Sequence, residues 1–345
     1  MSLLDYPFAE LPEAATALEA APGVRWLRMP LPFQLNHINL WLLEDELDGA
    51  PAWTIIDCGI GNDETRALWT RIFDSQLQGR PVKRVILTHY HPDHAGNAHW
   101  LCGRSGAELW TTQGEYLTAH AVRSANAGYT SEAVLAVFRK NGLDDARHAS
   151  MAGRGNRYAA LVPDFPHSCR RIIESDRIVI GAREWRAIIG HGHAPEHLSL
   201  YCEASNVVIA GDMLLSTIST NVSVWSIDPE GDPLRLFLES VARYRELLAD
   251  VLVLPSHGKP FRGAHARVAQ LEAHHEARFA ELDRALKGSA RSAGELLGVL
   301  FPRELDAHQT FFAMGEAIAH LHYLYYAGRA SRRLGTDGIM RYATA

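Results

Sequence analysis

The chain has 345 residues, of which 47% are hydrophobic and 21% charged, and carries a formal net charge of -6. Those values exclude an intrinsically disordered chain and a strongly basic polyanion binder, and no uninterrupted apolar run approaches the ~20 residues of a membrane span. Cys58, Cys102, Cys169 and Cys202 form no CxxC pair, and the N-terminus has acidic residues and prolines where a secretion signal needs a basic start and an apolar stretch, so the expected location is cytoplasmic.

In chain order, Val24–Met29, His37–Leu43 and Ala52–Asp57 read as strands of a meander, rich in Trp, Ile, Val and Leu and separated by Pro, Asp and Gly. Asn62 to Gln78 reads as a helix, with Asn62 as its cap and Ala67, Leu68, Ile72 and Phe73 at helical spacing. Val82–Leu87 is a buried strand running directly into Thr88-His89-Tyr90-His91-Pro92-Asp93-His94. From Gln113 to Pro166 the pattern turns helical and then irregular around Gly153-Arg154-Gly155-Asn156, as an insertion that could cap a site would. A second strand series is expected at Arg177–Ile180, Glu184–Ile189, Leu198–Cys202 and Val207–Ala210. A helix over Asp232–Leu248, a strand over Val251–Leu254 and a long helix over Gly263–Leu286 follow. The last stretch reads as helix, helix, wing: Ser292–Leu300, Phe311–Tyr326 and a tail rich in Gly and Arg. The domain boundary is expected near residue 272, with residues 1–272 catalytic, 113–166 a helical cap, and 273–345 a separate C-terminal domain.

The chemistry concentrates where a strand ends. A catalytic metal needs imidazole and carboxylate donors converging at about 2 Å with one position left open for water. His89, His91, Asp93 and His94 supply four candidates within six residues. In an extended turn, residues two apart point the same way, so His89 and His91 can share one ion. Pro92 fixes the backbone dihedral that can aim Asp93 and His94 at a second.

This string, followed by Ala95-Gly96-Asn97, resembles the metallo-β-lactamase-fold superfamily, whose other motifs have matches here in the family's chain order. They are Ile55-Ile56-Asp57-Cys58-Gly59, Gly192-His193-Ala194-Pro195-Glu196-His197, Ala210-Gly211-Asp212 and Pro255-Ser256-His257-Gly258. The resemblance implies a four-layer αββα fold of the α/β class. It puts His89, His91 and His193 on one metal and Asp93, His94 and His257 on a second, with Asp212 bridging. Asp57 would orient a ligand histidine, and the segment holding His37 and Asn39 would border the pocket. His191 reads as a loop or pocket-wall side chain or a substrate contact, and His197 as a residue that packs or hydrogen-bonds where the next strand begins. The implied cofactor is a pair of metal ions, zinc by expectation, with iron and manganese as the alternatives.

Such a pair brings the pKa of water toward ~7, so hydroxide attacks a carbonyl or phosphoryl centre and Asp93 or water passes a proton to the leaving group. Departures from the pattern narrow the substrate. Asp212 stands where the best-known β-lactamases have Cys, and Leu215 where quorum-quenching lactonases have Tyr. The 45 positions from Asp212 to His257 leave no room for the large insertion of the fold's nucleases. Sulfur dioxygenases omit second-metal ligands that are present here. The glyoxalase-II-like group, which includes members with a winged-helix-like C-terminal domain, fits best: a hydrolase of a small-molecule thioester or ester. The alternative is an endoribonuclease or phosphodiesterase using the same two-metal site. Nine Lys and Arg against eight Asp and Glu from Glu276 to Ala345 give that reading little charge, with Arg329, Arg332 and Arg333 as its basic cluster. Nucleic acid is therefore a disfavoured partner, no membrane contact is expected, and a homodimer is one assembly the sequence allows.

Overall fold

The computed structural model describes residues 4–126, 128–152 and 156–345. Gly153, Arg154 and Gly155, expected within the irregular part of the insertion, lie outside the described residues. Two compact units emerge: residues 1–124, 158–220 and 241–268 in the first, and 125–157, 221–240 and 269–345 in the second.

The first unit begins with an antiparallel meander of β1 (Leu18–Ala21), β2 (Val24–Pro30), β3 (His37–Leu47) and β4 (Ala50–Ile56), with Trp26 opposite Trp41 and Trp41 opposite Ile56. After β4 comes α1 (Asp63–Ser75), where the Asn62 side chain accepts the Thr65 N–H as a cap. The expected extension to Gln78 fails because Gln78 and Gly79 adopt positive φ, which no helix continues. Then come β5 (Val82–Ile86), α2 (Pro92–Ala95), α3 (Ala98–Ser105), β6 (Glu108–Thr111) and α4 (Gln113–Arg123). Parallel pairing of β4, β5 and β6 completes most of a sheet whose outermost strands were not foreseen. β1 reads Leu-Glu-Ala-Ala, a helix-forming composition that edge pairing overrides, and its opposite edge is only the charged pair Arg170–Arg171.

The second sheet of this unit lines up in the order Leu252–Pro255, Val207–Gly211, His197–Cys202, Arg183–Gly190 and Arg177–Ile180. Alternation along the strands decides which side chains meet. One face of the first sheet packs Leu40, Leu42, Trp53 and Ile55 against Leu68, Trp69, Ile72 and Leu101 of α1 and α3. The other turns Trp26, Trp41, Ile56 and Ile86 toward Ile178, Trp185, Leu200 and Ile209 of the second sheet. Sheets thus share one core, helices cover the outer face of the first sheet, and the strand ends carry polar loops. On the second sheet, Ser199 bonds the Tyr244 hydroxyl at 2.6 Å. Tyr244 lies in a short 3-10 turn (Arg243–Glu246) that ends the expected Asp232–Leu248 helix early, its α-helical part stopping at Ala242.

In the second unit, helices Ser131–Lys140 and Asp145–Ala152 are grouped with Ala293–Leu300 and Ala307–Tyr326, followed by a hairpin of Ala330–Leu334 and Met340–Thr344. Residues 113–166, expected as one cap, are therefore divided. Close backbone approach explains why 125–157 go with the C-terminal helices: the Gly294 N–H donates to the Asn141 carbonyl at 3.0 Å, and a Cβ at Gly294 would sit 1.9 Å from the Gly142 carbonyl oxygen. Among the described residues, no helix is long and apolar enough to cross a membrane.

Candidate metal centre

Every residue of the histidine and aspartate cluster belongs to the first unit and stands just past a strand end, on a loop or, for Asp93 and His94, in the short helix α2. Strand β5 delivers Thr88 and His89, and the turn into α2 presents His91, Asp93 and His94. His193 follows the strand Arg183–Gly190, Asp212 follows Val207–Gly211, and His257 follows Leu252–Pro255. The strands Arg183–Gly190 and Val207–Gly211 each pair antiparallel with His197–Cys202, and Val207–Gly211 pairs parallel with Leu252–Pro255, so the three run the same way and put the loops that follow them on one edge of the second sheet. All but His91 and Asp93 are buried.

Hydrogen bonds behind the cluster settle which nitrogens face inward. His257 Nδ1 lies 2.8 Å from the His37 carbonyl, which can only accept, so the proton is on Nδ1 and the Nε2 lone pair points into the site. His94 Nδ1 donates to Asp57 Oδ2 at 2.8 Å, again freeing Nε2. Thr88 Oγ1 donates to the same Asp57 oxygen and lies 3.1 Å from His89 Nδ1, while the Thr88 N–H donates to Asp57 Oδ1. Asp57 makes these contacts from a positive φ of 61°, a conformation costing a non-glycine residue roughly 1 kcal/mol that the hydrogen bonds offset. Asn39 closes the same rim by donating to the carbonyls of Pro255 and Gly258, both at 2.8 Å.

Inside this frame three donor groups form: His89 with His91 and His193; His89 with His94 and Asp212; and Asp93 with His94 and His257, each with its ligand atoms within 4.8 Å of one another. His89 Nε2 lies 2.9 Å from His91 Nδ1 and 3.2 Å from His193 Nε2. Asp212 stands between the groups, its Oδ2 3.5 Å from His193 and its Oδ1 3.5 Å from both His94 and His257. Asp93 Oδ2 is 3.3 Å from His257 Nε2. His94 Nε2 and Asp212 Oδ1 are buried without a hydrogen-bond partner. Imidazole lone pairs meeting lone pairs, with orphaned buried acceptors among them, form a set that a cation satisfies and a hydrogen-bond network does not.

Electrostatics agree. Burial, reinforced by the neighbouring histidines, holds His89 well below the usual imidazole range; for half-buried His91, desolvation and then the adjacent His193 bring the ring down to about 3. Neutral rings are the ligating form. Burial would raise Asp93, but His94 and His257 outweigh it and bring the carboxyl down to about 2. His94 departs from that pattern: burial is outweighed by Asp57, Asp93 and Asp212, the ring goes well above its ordinary value, and a cation at Nε2 would have to displace its proton.

His191 stands apart from the cluster. It is exposed and donates from Nδ1 to the Pro195 carbonyl at 2.6 Å, bracing its own loop. His37 contributes its backbone carbonyl to His257, and its ring accepts the Gly258 N–H at 3.0 Å. Leu215 is buried. One contributor escapes the sequence reading of the site: Thr88, part of the motif string, whose hydroxyl joins Asp57 to His89. His197 hydrogen-bonds at the start of its strand as expected, accepting the Asp212 N–H at 3.0 Å; this closeness requires glycine at 211, where a Cβ would meet the His197 ring at 2.5 Å.

Comparison with known proteins places these features in a wider set. The family profile described as "Metallo-beta-lactamase superfamily" matches residues 35–257, and that described as "Metallo-beta-lactamase-like, C-terminal domain" matches residues 279–345. A beta-lactamase domain protein from Burkholderia ambifaria is 51% identical, with a TM-score of 0.93 over 99% of this chain and 98% of its own. A metallo-beta-lactamase family protein from Thermus thermophilus is 29% identical, with a TM-score of 0.75 over 94% of this chain and 99% of its own. Among curated sequences, the probable metallo-hydrolase YqjP of Bacillus subtilis (strain 168) is 24% identical over 304 residues, 86% of this chain and 91% of that protein.

Proposed function

From the premise that the chain belongs to the metallo-β-lactamase superfamily, we propose that it is a metal-dependent hydrolase of a small-molecule thioester or ester, similar to the glyoxalase-II-like group. The observation that carries the reading is the shared donor set, in which Asp212 reaches across to His193 on one side and to His94 and His257 on the other. His89, His91 and His193 would hold one ion and Asp93, His94 and His257 the second, with Asp212 common to both, because a shared carboxylate offsets the repulsion of two close dications. Two such ions, zinc in this reading, supply electrophilic polarisation of a carbonyl and water with a pKa near ~7.

The remaining work falls to the chain's own groups. Asp57, Thr88 and the His37 carbonyl keep the ligand rings in the tautomers that leave their inner nitrogens free. Asp93, held ionised between His94 and His257, takes the proton released as water attacks and passes it to the departing thiolate or alkoxide. Leu215 offers no hydroxyl at the position where the lactonases carry one, which favours a leaving group that departs without that donor. Within this reading residues 273–345 form a winged-helix-like domain of a cytoplasmic protein, and a homodimer is compatible with it.

The rival, RNA or another phosphodiester as substrate, draws less support from the C-terminal tail. Arg329 faces Glu276 and Asp283, and Arg332 faces Glu230, so two of the three clustered arginines are already neutralised. The deciding experiment is a panel on metal-loaded protein: acyl-CoA and acyl-glutathione followed by thiol release, a lactone, and labelled single-stranded RNA. Turnover of a thioester or ester is expected. Cleavage of RNA with steep salt dependence, and none of any ester, sinks the proposal in favour of the nuclease.

A further inference from the structure

The segment leading into α4, Thr112-Gln113-Gly114-Glu115, has the spacing of a helix capping box, in which the Thr hydroxyl takes the N–H of the fourth residue and the Glu carboxylate returns to the first. The two boxes of the second unit, Ser292 with Glu295 and Asp306 with Gln309, close in that manner. At α4 the box stays open, and both side chains are turned elsewhere. Thr112 makes no capping bond; its hydroxyl donates to the Glu196 carbonyl at 2.8 Å. Glu115 Oε2 accepts the Tyr90 N–H at 2.8 Å, and its Oε1 accepts the Glu196 N–H at 2.7 Å. The vacated cap is filled from the other side, where Glu196 Oε2 accepts the Gly114 N–H at 2.8 Å. Helix and loop have exchanged partners.

Tyr90 lies between His89 and His91, and Glu196 follows His193 by three residues. We infer that Glu115 is a positioning residue for the candidate metal centre, one buried carboxylate that fixes the two loops carrying His89, His91 and His193 against each other. The inference rests on reading the cluster as a metal centre.

Three further observations argue for it over a purely structural anchor. The Tyr90 peptide is held at both ends, since its carbonyl accepts the Tyr158 hydroxyl at 2.6 Å, so neither ligand beside it can swing independently. The same two loops are stitched again by the Leu198 N–H donating to the Thr88 carbonyl at 2.8 Å. And the carboxylate is placed where it is costly. Glu115 is 1% exposed, and burial pushes its carboxyl up to about 8 against the pull of the two backbone N–H donors, whereas a helix cap at the surface would carry no such penalty. Glu115 touches no inward-facing ligand nitrogen, so its action would run through the geometry of the loops.

The test uses the full chain stripped of metal by a chelator and titrated with zinc in competition with a chromophoric chelator. Glu115→Gln keeps the size of the side chain but sets an amide NH2 against one of the two N–H donors. Its zinc affinity is expected to fall by roughly 10–100-fold, the range for groups that orient metal ligands. The rise in melting temperature on adding zinc should shrink in step. A Glu115→Gln protein that melts lower without metal yet binds zinc as tightly as the wild type overturns the inference, because Glu115 would then be an anchor only. If the wild type itself takes up no zinc, the metal reading beneath the inference falls instead, and the two failures are told apart by that one control. Should Glu115→Gln not fold, Glu115→Asp, one methylene too short to reach both N–H groups, takes its place under the same outcomes.

Discussion

His89, His94, His193 and His257 in one unit, and His275, His320 and His322 in the other, are all almost sealed from solvent. The first group leaves its lone pairs facing one another; the second directs its ring nitrogens into hydrogen bonds, with His275 Nε2 buried and left without one. His320 Nδ1 donates to the Glu316 carbonyl at 2.8 Å, so its Nε2 must accept from His275 Nδ1 at 3.1 Å, and His322 Nδ1 donates to the Gly231 carbonyl at 2.7 Å. Among the described residues, every donor group able to hold a metal lies in the first cluster. A buried histidine is therefore uninformative by itself. Outer nitrogens held by an acceptor occur in both groups, on His94 and His257 as on His320 and His322; what distinguishes the first is that the freed inner nitrogens converge with the Asp93 and Asp212 carboxylates, the donor atoms of each set lying within 4.8 Å of one another.

That contrast can be broken most severely at Asp212. Asp212→Ala removes the carboxylate reached by His94, His193 and His257, and should cost on the order of 10³-fold in turnover of whichever substrate the panel identifies, with metal content falling below that of the wild type. Elemental analysis beside the rate measurement checks this; full metal content with full turnover refutes the shared-carboxylate reading. The corresponding change in the second cluster should be silent in that assay. His275→Ala deletes the donor to His320 and leaves a buried acceptor and a void, so roughly 2–4 kcal/mol of stability should disappear in a urea titration while metal content stays at the wild-type level.

How far the sequence foretold this contrast depends on whether the signal was local. The seven ligand candidates sit in four short motifs at strand ends, and the regular strand patterns before them placed those ends to within a residue or two. His191, His193 and His197 fall within seven residues; His193, in the loop between two strands, turns toward His89, while His191 faces solvent and His197 accepts the Asp212 N–H. Glu115 was legible as a helix start and illegible as anything more, because its partners Tyr90 and Glu196 are 25 and 81 positions away. Edge strand β1 and the grouping of residues 125–157 with the C-terminal helices are illegible in the sequence for a like reason. Leu-Glu-Ala-Ala carries helix propensity that pairing with β2 overrides, and the close approach of Gly142 to Gly294 is a long-range fact.

The second cluster also carries a charge signature that sharpens the comparison. Burial, against the pull of Asn221, raises Glu316 to about 7, and burial lowers His275 to about 3 and His320 to about 4. A carboxyl raised on folding contributes stability that is full below its unfolded value of 4.5 and is lost as pH rises through about 7. A histidine lowered on folding acts the other way: nothing is lost above 6.5, and stability falls as pH drops below that value, because the unfolded chain takes up a proton the folded one refuses. Between pH 4.5 and 6.5 the unfolded state therefore holds two extra protons on His275 and His320, and the folded state one on Glu316. Their difference is one proton, and each proton is worth about 1.4 kcal/mol per pH unit. Glu316→Gln removes the opposing carboxyl and keeps the Asn221 contact within reach, so the slope of stability against pH in this window should steepen by about 1.4 kcal/mol per pH unit, with stability rising toward neutrality. Urea titrations of both proteins at pH 4.5, 5.5 and 6.5 measure it. Parallel slopes would mean that Glu316 is ionised in the folded chain, and that the second cluster, like the first, holds its carboxylate charged.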